Sequence, residues 1–123
     1  VTSIPVKLPK KRHKYAAKSA ACNAGHSHPS RKEANRCNEL YLLQRGGVIC
    51  DLVVEPQYWF KPDGRQLMHE NGRRAGYKPD FGYVEAGQRV VEDVKSEATK
   101  TGDYVLRRQL FRHLFPDIEL REV

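Results

Sequence analysis

Two aspartates and a lysine carry the strongest chemical signal in this sequence. The segment YKPDFGYVEAGQRVVEDVKS reads as two strands joined at Glu85-Ala86-Gly87-Gln88. If Ala86 and Gly87 form a two-residue turn, Glu85 pairs with Gln88 and Asp80 falls directly opposite Asp93. Directly opposed residues share a face, with Cβ atoms about 5 Å apart. Lys95, two residues beyond Asp93, shares that face as well. Two facing carboxylates repel by roughly 0.2–1 kcal/mol. A divalent cation removes that penalty, and hard oxygen ligands suit Mg2+. A three-residue turn would set Glu92 or Val94 against Asp80 instead, so the register stands open by one residue. A D-x-K triplet by itself is weak, because alternating charged faces are common on solvated strands.

Other constellations are less persuasive. Cys22-x3-His26-x-His28-x8-Cys37 offers four zinc-type donors. A standard finger pairs cysteines two to four residues apart, which this spacing does not do. Cys37 also falls on the apolar stripe of a helix, where a cysteine is ordinarily a small core residue. Zinc is therefore the weaker reading, and Cys50 is expected to be buried in the following strand. Gly46-Gly47 closes a helix instead of opening one, which argues against a nucleotide-binding phosphate loop. No nucleophile elbow is present, which argues against a serine or cysteine hydrolase.

The elements that must position these residues follow from local pattern. SRKEANRCNELYLLQRGG reads as a helix capped by Ser30, with Glu33 completing a capping box and Gly46-Gly47 stopping it. Ala34, Cys37 and Tyr41 form its apolar stripe, widened by Leu40. VICDLVVEPQYWF predicts one or two strands interrupted near Pro56, and residues 61–76 predict a loop or irregular hairpin. After the two central strands, a loop at Thr101-Gly102-Asp103 leads into the helix YVLRRQLFRHLF, with Leu106, Leu110 and Leu114 in register. Pro116 ends it, and IELREV alternates as a last strand. The class is α/β, a mixed sheet flanked by helices.

Taken together, Pro79-Asp80, Asp93-Val94-Lys95, the helical Glu33 and Gln109 resemble the PD-(D/E)xK, or restriction-endonuclease-like, nucleases. GHSHPSRKEANRCNELYLLQRGGVI, EPQYWF, KPDFGYV, VVEDVKS and YVLRRQLF more closely resemble a phage-encoded branch of that superfamily, over roughly residues 15–123. The resemblance implies an αβββαβ core and a metal-dependent DNA endonuclease using Mg2+ or Mn2+. It implies that Asp80 and Asp93 hold the metal and that Lys95 orients the attacking water or steadies phosphate charge. It implies that Glu33 completes the metal site, although the capping box alone accounts for a glutamate there, and that Gln109 steadies the site. Arg107 and Arg108 read as phosphate contacts or solvated helix face. Branched DNA such as a Holliday junction, cut by a homodimer, is one substrate such a fold serves. A non-catalytic DNA-binding or assembly protein on the same fold is the alternative.

Charge points to the same partner. The chain of 123 residues carries 22 lysines and arginines against 15 acids, a net +7. Lys7, Lys10, Lys11, Arg12, Lys14 and Lys18 supply +6 of this within residues 1–20, leaving the rest nearly neutral. Residues 1–20 are expected to be a flexible basic arm that lies along a phosphate backbone, and residues 21–123 the nuclease-like domain. Arg73 and Arg74 offer a further local patch. No apolar run is long enough to span a membrane, Pro5 and Pro9 break any apolar leader, and three cysteines do not make a disulfide scaffold. The expectation is a reduced, cytoplasmic protein, in a host cell if phage-encoded.

Overall fold

The computed structural model describes residues 19–95 and 101–123. The expected arm, with Lys7, Lys10, Lys11, Arg12, Lys14 and Lys18, lies outside the described residues. Its expected boundary at residue 20 falls inside the first strand, β1 (Ala20–Ala21), which pairs antiparallel with β2 (Ser27–His28).

Helix α1 (Arg31–Arg45) begins where Ser30 Oγ accepts from the Glu33 N–H at 3.2 Å. It buries Glu33, Ala34, Cys37 and Leu40. Beyond it, β3 (Ile49–Val54) and β4 (Tyr58–Trp59) are separated at Pro56, as the sequence suggests. Strand β4 pairs with β5 (Gly76–Tyr77) in a small ribbon. Strands β6 (Phe81–Glu85) and β7 (Gln88–Asp93) make the central hairpin. Its turn residues Ala86 and Gly87 have φ of 50° and 79°, the double left-handed turn that matches strand twist. Helix α2 (Gly102–Leu114) then crosses over to β8 (Glu119–Glu122), which runs parallel to β7. The main sheet is ordered β3-β6-β7-β8, so its helices and strands follow one another as α-β-β-β-α-β, with the β4–β5 ribbon inserted.

Strand β7 is buried on both faces. Val90 packs with Ala34, Cys37 and Leu40 of α1, while Val91 packs with Tyr104 and Phe111 of α2. The same alternation sends Glu92 toward α1, where Arg36 grips it with two hydrogen bonds of 2.8 and 2.7 Å and the Tyr83 hydroxyl donates a third. Adjacent Asp93 must therefore face the α2 side.

Three local expectations differ from the structure. Leu106 is 69% exposed, and α2 instead buries Tyr104 and Phe111, with Leu110 and Leu114 half-buried. Aromatic rings bury more area than leucines, so they decide which way the helix turns. Thr101 caps α2 by accepting from the Tyr104 N–H, so Gly102 and Asp103 are helical. Cys50 is exposed, because β3 is an edge strand that packs on α1 by one face, and Cys50 follows the buried Ile49 onto the other.

Candidate active site

The hairpin has the register of a two-residue turn: Glu85 pairs with Gln88 and Phe81 with Glu92. Asp80, just outside β6, therefore meets Asp93 at the end of β7. Two hydrogen bonds fix the pair. The Asp80 N–H donates to Asp93 Oδ1 at 3.2 Å, and the Val94 N–H donates to Asp80 Oδ2 at 2.7 Å. Val123 secures the backbone beyond, its N–H donating to Asp93 O at 2.9 Å and its O accepting from the Lys95 N–H at 3.3 Å. Asp93 Oδ2 accepts from the Tyr77 hydroxyl.

Asp80, Asp93 and Lys95 open together into a cleft of about 430 Å3, whose wall includes Tyr104, Arg74 and Arg107. Lys95 Nζ stands 4.9 Å above the Tyr104 ring. Burial pushes both aspartates above the usual carboxylate range, against the opposing pull of the Lys95 ammonium. Burial and the neighbouring Asp93 charge push the Tyr104 phenol up to about 12. Its buried hydroxyl lies beside the Asp93 carboxylate. Two carboxylates at raised pKa, Asp93 buried and Asp80 half-buried, are a site whose charge a divalent cation would compensate.

The remaining expected residues divide. Arg107 and Arg74 line the cleft, and the Arg74 guanidinium lies 4.0 Å over the Trp59 ring. Arg73 is exposed and is not part of the wall. Arg108 pairs with Glu122 and approaches the Tyr104 ring at 5.3 Å, so its charge is engaged within the protein. Gln109 is exposed and absent from the cleft. It sits a hundred degrees around the helix from Arg108, and the buried Tyr104–Phe111 stripe turns Tyr104 and Arg107 inward instead. Glu33 donates its backbone N–H to the Ser30 cap, but its carboxylate reaches His28 Nδ1 at 3.1 Å, so it neither completes the expected capping box nor lines the cleft. Burial and the charge of Asp80 raise its pKa, so it feels the site without joining it.

Tyr77, Tyr104 and Lys78 enter the cleft without having been singled out from the sequence. Lys78 adjoins Pro79-Asp80, which is a readable signal. No spacing rule connects Tyr104 to Asp93. The structure also brings together Cys22, His26, His28 and Cys37, whose donor atoms lie within 4.8 Å of one another. Finger spacing failed as a guide because the donors come from a turn, a short strand and a helix, so their approach is a product of packing.

Fold and site together define a mixed α/β domain whose central hairpin presents two carboxylates and a lysine to a basic cleft. The chain belongs to the DUF1064 family, proteins of unknown function, whose profile matches residues 12–123. No curated protein and no solved structure matches it. Among the described residues, no helix is long and apolar enough to cross a membrane.

Proposed function

We propose that this protein is a metal-dependent DNA endonuclease with a restriction-endonuclease-like PD-(D/E)xK core. The observation that carries the reading is the meeting of Asp80, Asp93 and Lys95 in one cleft. The α-β-β-β-α-β order supports it. So does the chemistry of the donors: two hard carboxylates, each held by backbone N–H groups, fit Mg2+ or Mn2+. Such an ion would supply positive charge at the scissile phosphate and acidify a bound water.

The protein's own groups do the rest. Lys95 holds an ammonium where negative charge develops on the phosphate. Tyr104 sets its O–H beside Asp93, on the wall of the cleft that would take the phosphate or its water. Tyr77 fixes the Asp93 carboxylate so that it does not turn away. Arg74, Lys78 and Arg107 hold the flanking backbone by charge, independent of sequence.

The test is nicking and cleavage of supercoiled, linear, nicked and branched DNA with Mg2+ or Mn2+. Cleavage should require the metal and vanish in Asp93→Asn, while DNA binding persists. Metal-dependent cleavage unchanged in Asp93→Asn would refute the site. Binding without any cleavage by the parent chain would favour a non-catalytic DNA-binding protein.

A further inference from the structure

We propose that Cys22, His26, His28 and Cys37 bind one zinc ion in a closed, structural site. A tetrahedral zinc with bonds of about 2.3 Å to sulfur and 2.0–2.1 Å to nitrogen spaces its ligands roughly 3.3–3.8 Å apart. All four donor atoms lie within 4.8 Å of one another, and His26 Nδ1 stands 3.4 Å from Cys22 Sγ and 3.7 Å from Cys37 Sγ. The set is therefore gathered to nearly the required size. Cys22, His28 and Cys37 are buried and His26 is half-buried, so water does not replace the donors easily.

His28 supplies an independent observation. It is 1% exposed, and its buried Nε2 has no oxygen or nitrogen partner and faces the Cys22 thiol. Its other nitrogen, Nδ1, is held by Glu33 Oε1. A carboxylate there fixes the proton on Nδ1 and leaves the Nε2 lone pair free, which is how metal-bound histidines are commonly oriented. Glu33 thus has a role that neither capping nor the cleft requires.

The donor chemistry selects the ion. Two thiolates and two imidazoles suit zinc and not Mg2+ or Ca2+. Four protein ligands leave no open position, which makes the site structural. Local folding prepares it: the Cys22 N–H donates to His26 O at 2.9 Å and the Gly25 N–H to Cys22 O at 3.0 Å, forming a tight turn at Gly25, φ 90°. The β1–β2 ribbon has two residues in each strand, too few to stand alone. Zinc would clip it to α1 through Cys37. This site is independent of whether the cleft cuts DNA.

The test uses the full chain expressed with zinc supplementation and purified under reducing conditions. Elemental analysis should find about one zinc per chain, replaceable by Co2+ with the absorption of a tetrahedral thiolate complex. Exposed Cys50 should react with a thiol reagent at once, and Cys22 and Cys37 only after a strong chelator is added. Cys22→Ser should abolish stoichiometric zinc. If that variant does not fold, His26→Ala, at the least buried ligand, should lose zinc to a competing chelator far more readily than the parent. Glu33→Gln should weaken zinc binding about 10–100-fold. A chain that takes up no zinc or Co2+, with all three thiols reacting without chelator, would overturn the proposal. So would a Cys22–Cys37 disulfide released only by reductant.

Discussion

Arg36→Met should destabilise the protein by about 3 kcal/mol, because it strands a fully buried carboxylate. Glu92 has no exposed side-chain area, while Arg36 is 22% exposed. Breaking a buried ion pair from one side costs about 3–5 kcal/mol. Water reaching the space left by the half-open arginine places the cost at the lower end. The Tyr83 hydroxyl still donates to Glu92 and offsets part of the loss. At about 2.1 cal/mol/K of unfolding entropy per residue, each kcal/mol lowers the Tm of this 123-residue chain by roughly 4 °C, so the shift should be about 12 °C. Urea unfolding followed by circular dichroism should show a lower midpoint with an unchanged slope. Arg36→Met combined with Glu92→Leu removes both charges, and Tyr83 keeps the Arg121 donor at 3.2 Å. The pair should recover most of the stability, giving a coupling energy of at least about 2 kcal/mol. An Arg36→Met protein within about 0.5 kcal/mol of the parent, or additive single effects, would refute the argument.

Lys95→Ala should reduce DNA turnover about 10²–10³-fold while leaving Mg2+ binding measurable by calorimetry, since the ammonium acts on developing phosphate charge and holds no metal. Deleting residues 1–14 should flatten the dependence of log DNA affinity on log salt by about 3–4, at roughly 0.9 per lost contact, if most of Lys7, Lys10, Lys11, Arg12 and Lys14 touch phosphates. Equal slopes for the two chains would leave the arm without a DNA role. Gly76→Ala should lower Tm and weaken DNA binding, because its Cβ would stand 2.6 Å from the Tyr58 carbonyl and force apart the ribbon that walls the cleft. An overpacking cost of about 1–3 kcal/mol is expected by thermal melting.

Much of the candidate site was legible in the sequence because its geometry is local. A two-residue turn fixes the register of both strands, and the period of two then fixes the face of every residue, so Asp80, Asp93 and Lys95 follow from one turn. The cap at Ser30, the break at Pro56 and the strand after Pro116 are also set by neighbours in the chain. The tertiary structure decided the rest. Which stripe of α2 turned inward depended on the total area buried by Tyr104 and Phe111 against Leu106, and that choice admitted Tyr104 to the cleft and left Gln109 in solvent. Glu33 could complete a capping box or a metal site on sequence grounds, and only the packing of β2 on α1 set its carboxylate against His28. The donor atoms of Cys22, His26, His28 and Cys37, likewise, are drawn together from separate elements. Bonded geometry carries information over a few residues along the chain, whereas the approach of side chains on different elements is set by the packing of the whole core.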